Sequence, residues 1–504
     1  MINDSSKPLR IVHITPEVAP VAKVGGLADV VPGLSATHQK RGDQLEIIIP
    51  AYDVLKTEEI KDYQEKTGTI SVHWGDKTID CTIARGMVHH VACTFLKPHS
   101  EERIFDRGKI YGEPDDAERF ALFSLAALEY LEQQQGWPDI IHAHDWQTGF
   151  VPILYKKRMV PPDQQKTRIC YTIHNFKHQG ICGAHLLEDV KLLPVEHYMR
   201  PHLAQDRTHP YLLNSMKMGF AYSDFITTVS AKHAWEVKDD GQGFGMEPML
   251  HRHHYKYGGV LNGIDTEVWN PATDAHLDKH YDSDRIEQKY ANKSALRKAC
   301  GLRESDAPVV AFVGRLDPQK GLEQIEHALF YTLYKGGQFV LLGSSPDQEI
   351  NMQYHEIKRQ LEGSPDCHLE LGYNEALGHL VYAGADLMIM PSRFEPCGLT
   401  QLIAMRYGTI PVVRAVGGLA DTVFDKDFSD RPKAKRNGYV FDHGDVHAIE
   451  STLERAFTCF SEYPDAFREL IYNAMLADYS WNEPATHYRN IYEHILRHGP
   501  SDPE

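Results

Sequence analysis

No stretch of this sequence stays apolar for long. The longest runs, such as ADLMIM at 385–390, fall far short of the roughly 20 residues that a membrane-spanning helix needs. The opening MINDSSKPLR leads straight into IVHIT without a basic region, a long hydrophobic region and a small-residue cleavage site, so no secretion signal is predicted and a cytoplasmic location is expected. Cysteine is sparse and scattered, eight residues at 81, 93, 170, 182, 300, 367, 397 and 459 with no CxxC pair, which points to reduced thiols and away from a disulfide framework. Positive charge is in deficit, 53 Lys+Arg against 70 Asp+Glu for a net charge of -17, which speaks against nucleic acid or an anionic membrane as partner. An anionic ligand must therefore meet a local positive site. The dinucleotide fingerprint GxGxxG and the P-loop GxxxxGK[ST] are both missing, and there is no low-complexity tract. Histidine is plentiful, at 29 residues, yet HRHH at 251–254 and HAH at 142–144 have no nearby cysteine or HExxH partner, so no metal is expected. Asp-x-Asp at 282–284 and 425–427 lies in polar stretches and does not change that expectation.

What the sequence does have is length and a globular balance. Its 504 residues, 42% hydrophobic and 24% charged, exceed one ordinary core, so two large domains are expected. The start reads as a βαβ unit: an apolar strand at 9–14, a loop holding Lys23, Gly25 and Gly26, a helix from about residue 27 and a strand at 45–49. Strands are also predicted at 140–143, ending at His144-Asp145, and at 168–173, ending at His174-Asn175, after a helix over 117–132. From Ala307 the rhythm restarts, with strands at 308–314, 338–343, 368–372 and 385–390 and a loop ending in Lys320-Gly321. The fold class is thus α/β, two doubly wound halves, with the segment 231–306 holding the hinge and a terminal helix following Asp478. In such sheets ligands bind beyond the carboxyl ends of the strands, so the polar residues there are the site candidates.

VGGLADV at 24–30 returns as VGGLADT at 416–422, once in each half. Paired glycines before a helix start can turn backbone N–H groups toward an anion or sugar hydroxyls, although two similar capping turns read the same way. Lys23 adds a cation to the first copy, and alone it reads equally as an exposed lysine beside a tight turn. GRLDPQKG at 314–321 places Arg315 and Lys320 directly after a buried-type strand. A leaving diphosphate needs neutralisation as a glycosidic bond breaks, and these two cations can supply it without a metal. The alternative is a surface pair bonded to Asp317 or to nearby acids. In PSRFEPCGLTQLIAMRYGTIPVV at 391–413, Glu395 follows a strand while Cys397, Gly398, Leu399 and Thr400 lead into a helix. A carboxylate for sugar hydroxyls then stands beside N–H donors for a phosphate, and Glu395 alone also reads as a helix-terminus carboxylate. As a nucleophile Cys397 lacks an assigned base, and a small thiol packs well at such a turn.

Taken together the motifs resemble glycosyltransferase family five, the bacterial glycogen synthases and plant starch synthases. HITPEVAPVAKVGGLADV (13–30), HAHDWQTGF (142–150), YTIHNFKHQG (171–180), VLNGID (260–265), GRLDPQKGL (314–322), GYNEALGHL (372–380) and SRFEPCGLTQ (392–401) occur in that family's order, and SWNEPATHY (480–488) resembles its terminal segment. The resemblance implies a GT-B fold, two Rossmann-like domains facing across a cleft, with boundaries predicted at 1–262 and 263–482 and a C-terminal helix, 483–504, returning to the first domain. It implies ADP-glucose as donor, the non-reducing end of an α-1,4-glucan as acceptor, retention of configuration and no cofactor. Carried over by position, Lys23, Gly25, Gly26 and Asp29 fall on the donor loop, and Arg315 and Lys320 on the diphosphate-binding pair. Glu395 falls on the carboxylate that holds the donor glucose, with Cys397 to Thr400 behind it, and Tyr373 on the aromatic against the adenine. His174 and Asn175 match residues beside the transferred sugar, Asp145 the acid on the acceptor side and Asn262 the hinge asparagine near the donor.

The chain departs from its look-alikes in places. Several GT-B relatives carry a second carboxylate eight residues after the first, whereas position 403 is isoleucine, so the ribose must be held otherwise. VGG stands where many members have TGG, NSMKMGF at 214–220 where many have Lys-Gly-Gly, and Asn374 where histidine often follows the tyrosine. Two rivals follow: a related enzyme that uses UDP-glucose or short maltooligosaccharides, and a glucan-binding scaffold without turnover. The joint presence of Lys23, Arg315, Lys320 and Glu395 argues against the scaffold. Oligomeric state is not legible.

Overall fold

The computed structural model describes residues 7–499, which form two compact units, one running to Gly263 and resuming at Trp481, the other spanning Ile264–Ser480. In the first unit the strands, taken across the sheet, are Tyr257–Gly259, Phe225–Thr228, Arg168–Ile173, Ile140–His144, Arg10–Ile14, Gln44–Pro50, Val91–Pro98, Lys77–Val88 and Lys61–Trp74. The first seven run parallel, and the last two add an antiparallel hairpin at one edge. The central strands are nearly continuous runs of apolar and small residues because helices cover both faces, which leaves no solvent side for a polar alternation. Ile11, Val12, Ile47, Ile48, Ile140, Ile141 and Ile169 are accordingly all fully buried. The predicted helix at 117–132 forms as Asp116–Tyr130 and continues in a π turn, Leu131–Gln135.

The second unit carries one parallel sheet in the order Cys367–Leu371, Gln338–Ser344, Val309–Arg315, Leu387–Met390, Ile410–Arg414 and Tyr439–Phe441. The order reverses between the strands at 309–315 and 387–390, the topological switch where open α/β sheets bind ligands. Both Asp-x-Asp segments are taken up structurally here. Asp425 and Asp427 pair with Arg455, and Asp282 caps a short turn and bonds Arg285 at 2.7 Å.

The last helix, Asn482–His498, folds onto the first unit. Tyr488, Tyr492 and Ile495 are buried, Arg489 pairs with Asp43, and the Tyr492 hydroxyl lies 2.7 Å from His142 Nδ1. The chain enters this helix through Trp481, whose indole lies against Gly33 of the helix Leu27–Lys40. A methyl group at Gly33 would stand 2.1 Å from the indole nitrogen. Gly33→Ala is therefore expected to lower stability by about 1–3 kcal/mol through overpacking. Gly25→Ala, which meets nothing within 4 Å, is the matched control, and thermal unfolding of the two variants checks the contrast. No helix among the described residues is long and apolar enough to cross a membrane.

Candidate active site

In the second unit the strands at 309–315 and 387–390 are neighbours, with Val310 opposite Leu387 and Ala311 opposite Met388. The turns that follow them are consequently side by side and tied together: Arg393 N–H donates to the Gln319 carbonyl at 2.8 Å, and Gln319 Nε2 to the Phe394 carbonyl at 3.2 Å. Gly321, with φ +75°, permits the approach, since a Cβ there would lie 2.4 Å from the Pro391 carbonyl oxygen. The outcome is a compact charged group. Lys320 Nζ stands 2.5 Å from Glu395 Oε2, which also accepts from Ser392 Oγ at 2.9 Å, and Glu395 is only 8% exposed. Arg315 ends its strand exposed, with no acidic partner among the described residues. The alternative pairing with Asp317 does not form, because that carboxylate accepts from Gln319 N–H at 2.8 Å.

Beyond Glu395 the chain turns at Gly398, φ +73°, into the helix Thr400–Arg406. The first intrahelical bond runs from Ile403 N–H to the Leu399 carbonyl, so the N–H groups of Leu399 and Thr400 are donors that the helix leaves unused. Gln401 bonds back to the Cys397 and Gly398 carbonyls at 3.0 and 2.8 Å and fixes the turn. The second VGG copy serves the same turn: Gly418 N–H donates to the Glu395 carbonyl at 3.0 Å, and a side chain at Gly418 would strike the Cys397 carbonyl. Cys397 is buried, as a packing thiol is. Ile403, at the position of the missing second carboxylate, faces the core at 6% exposure. Tyr373 is 81% exposed, and Asn374 caps the next helix by accepting from Leu377 N–H at 3.0 Å.

In the first unit the adjacent strands at 10–14, 140–144 and 168–173 bring three chain-distant ends together. Asp145 follows the middle strand with φ 57° and ψ 178°, a backbone region nearly reserved for glycine that costs about 1–3 kcal/mol. Its Oδ1 accepts from His174 N–H at 2.6 Å. Burial pushes the Asp145 carboxyl up to about 7, helped by the Glu17 charge and opposed by the backbone N–H groups of His174 and Asn175. Burial holds the His174 imidazole down to about 3. Asn175 Oδ1 accepts from Lys177 N–H at 3.0 Å, and Asn262 is buried with no partner for its Oδ1 among the described residues.

The glycine loop has partners within the chain. Glu17, 4% exposed, accepts from Val24 N–H at 2.6 Å and Gly25 N–H at 2.8 Å, while its other oxygen takes the Tyr111 hydroxyl at 2.6 Å. Lys23 Nζ is paired with Asp29 at 2.8 Å. Of the donors that the sequence assigns to a pyrophosphate, the Gly25 N–H and the Lys23 ammonium thus have acids of the chain as partners. The chain turns back through paired backbone hydrogen bonds between Val18 and Ala22 and is held by Lys56 N–H on the Val21 carbonyl, and a buried carboxylate settles on exposed N–H groups as readily as an anionic ligand does. Glu17 and Ser392 are the residues that sequence reasoning missed. An acid just beyond a strand end and before a glycine loop was the available signal for Glu17.

Comparison with known proteins agrees with this layout. Residues 10–252 match the family model described as starch synthase catalytic domain, and residues 296–473 match glycosyl transferases group 1. The chain is 56% identical over 483 residues to a protein named glycogen synthase 2 from Methylococcus capsulatus, covering 96% of this chain and 99% of that one. It is 48% identical to glycogen synthase 1 from Nitrosococcus oceani, with the same two shares covered. Among solved structures it is similar to the catalytic domain of starch synthase IV from Arabidopsis thaliana bound to ADP and acarbose, with a TM-score of 0.94 at 42% identity over 97% of this chain and 100% of that one.

Proposed function

Since this chain belongs to the starch synthase family of GT-B glycosyltransferases and is a glucosyltransferase of glycogen or starch synthesis, we propose that it moves glucose from ADP-glucose to the non-reducing end of an α-1,4-glucan with retention of configuration. One observation carries the donor half of this reading: Arg315, with no acidic partner among the described residues, the Lys320–Glu395 pair, and the unused N–H groups at Leu399 and Thr400 all lie at or after the ends of two neighbouring strands. Such a group favours charge that grows on a leaving diphosphate, where prepositioned donors act without reorganisation. When a donor binds, its phosphates take Lys320 and its sugar hydroxyls take Glu395, so each partner of the pair exchanges one hydrogen bond for another. The two cations and the backbone donors supply the neutralisation that a metal supplies elsewhere, so the reading requires no metal cofactor. Asp145, His174 and Asn175 serve the sugar and acceptor side. The adenine preference rests on Tyr373, an exposed aromatic at the position that the family resemblance sets against the adenine. A cytoplasmic location accords with substrates of this class.

Incubation with radiolabelled ADP-glucose or UDP-glucose, with and without a glycogen primer, tests the proposal. The expected result is primer-dependent incorporation, at least about tenfold faster from ADP-glucose, a difference of about 1.4 kcal/mol in discrimination. Faster transfer from UDP-glucose overturns the donor assignment, and transfer confined to maltose-sized acceptors overturns the acceptor assignment.

A further inference from the structure

We propose that His13 and His144 are positioning residues that fix His174 as a neutral hydrogen-bond donor, through Nδ1–H, to a hydroxyl of the sugar being transferred. The proposal rests on the reading that His174 borders that sugar. Three imidazoles stand in line: His174 Nε2 is 3.1 Å from His144 Nδ1, and His144 Nε2 is 3.0 Å from His13 Nδ1. His13 and His144 are fully buried, and the remaining nitrogen of His13, Nε2, has no partner among the described residues. His142 stacks on His144 with ring centroids 4.2 Å apart, its own nitrogens satisfied by the Tyr492 hydroxyl at 2.7 Å and Thr172 Oγ1 at 2.6 Å. The His144 plane is thereby clamped.

Each nitrogen–nitrogen hydrogen bond needs one proton and excludes two. Three neutral rings in this order therefore have only two arrangements. In the first, His13 donates from Nδ1 to His144 Nε2, His144 donates from Nδ1 to His174 Nε2, and His174 keeps its proton on Nδ1. In the second every proton sits on the opposite nitrogen, His174 Nδ1 becomes an acceptor, and His13 buries an N–H with nothing to receive it. An orphaned buried N–H is the rarer and costlier defect, whereas the first arrangement leaves only an unmatched lone pair. The interior end of the chain thus sets the hydrogen-bonding sense of the outer end, over three residues that are remote in sequence. Burial holds His13, His142, His144 and His174 all below the ordinary imidazole range, so no additional proton blurs the two states at neutral pH. The trio His13, His142 and His144 has ring nitrogens within 4.8 Å of one another. Since both nitrogens of His142 and both of His144 are already engaged, the trio offers one vacant lone pair and no coordination set.

The test reads the tautomer directly. In protein labelled with 15N-histidine, long-range 1H–15N spectra, with the His174 signals assigned by loss in His174→Gln, are expected to show His174 protonated on Nδ1. In His13→Asp, whose carboxylate accepts from His144 Nε2–H and has no proton to give, the proton moves to Nε2, whereas His13→Leu, which offers neither donor nor acceptor, leaves it on Nδ1. In His13→Asn the side-chain amide stands where the Nδ1–H was and the proton stays. In parallel, kcat falls about tenfold in His13→Asp with donor KM within about twofold, the pattern of an interaction made in the transition state, and His13→Asn recovers most of it. An Nε2–H tautomer in the wild-type protein, a tautomer unmoved by His13→Asp, or a stoichiometric metal on elemental analysis overturns the proposal. If the tautomer switches while kcat stays within twofold, the sugar contact is overturned, and glucosyl transfer itself is unaffected.

Discussion

Replacing Glu395 by alanine is expected to lower kcat by about 10² or more, with the protein still folded. The carboxylate is 8% exposed, and within the unit it has two bonds, to Lys320 and to Ser392. If it served only to neutralise Lys320, its loss would appear as instability. Removing one partner of a buried pair costs about 3–5 kcal/mol, and less here, because the Lys320 side chain keeps 22% of its surface in water and can be resolvated. A role with the sugar appears instead in kcat, since an acceptor for hydroxyls on the reacting ring is worth most as that ring distorts toward the transition state. Glu395→Gln separates the two. The amide preserves shape and a hydrogen-bond acceptor for Ser392 but not charge, so a purely structural Glu395 predicts near-normal turnover in Glu395→Gln with reduced stability. Turnover within tenfold of the wild type in both variants, measured at saturating donor, would remove Glu395 from the chemistry. Thermal unfolding of the same samples shows whether any loss is only a loss of folded protein.

The parts of this arrangement that could be read from sequence share a physical reason. Strands at 10–14, 140–144, 309–315 and 387–390 were legible because a parallel strand covered on both faces is apolar over most of its length, the histidines of the first two being the exceptions. Glu395, Arg315 and Lys320 were legible because each follows such a strand within a few residues. The edge hairpin Lys61–Trp74 with Lys77–Val88 was not predicted: much of its first strand is exposed, and its charged residues blur the period of two. Strand order was also hidden. Nothing local in the sequence says that the strand at 10–14 lies beside that at 140–144 and next but one to that at 168–173, and it is this order that joins His13, His144 and His174. Glu17 was missed for a related reason. Its partners are main-chain N–H groups seven and eight residues later, and the path of the loop that brings them back is set by tertiary packing.

Asp145→Asn is expected to lower kcat by about 10² and at the same time to raise the unfolding midpoint at pH 8. Both follow from where the residue sits. A left-handed extended backbone at φ 57° is unfavourable for any residue but glycine, and a carboxylate pushed up to about 7 by burial is unfavourable whenever it is charged. A folded protein that keeps two such penalties at one position, at the end of a strand and bonded to the backbone of His174, keeps them for a purpose other than stability. The sign of the pH dependence follows from linkage. With its carboxyl raised above the ordinary value of 3.8, folded Asp145 binds a proton that the unfolded chain releases, so its contribution is fully present below about pH 4, declines as pH rises and is gone above about pH 7. Asparagine carries no such term. The gap in unfolding midpoint between Asp145→Asn and wild type should therefore be small at pH 4, widen up to about pH 7 and stay constant beyond. If the ionised carboxylate is the active form, wild-type kcat/KM for the glucan rises with pH toward the same value and levels off, and the residual activity of Asp145→Asn lacks that limb. A flat gap across this range would show that the carboxyl is solvated, and a variant with full turnover would show that the strained backbone, rather than the charge, is what the site requires of residue 145.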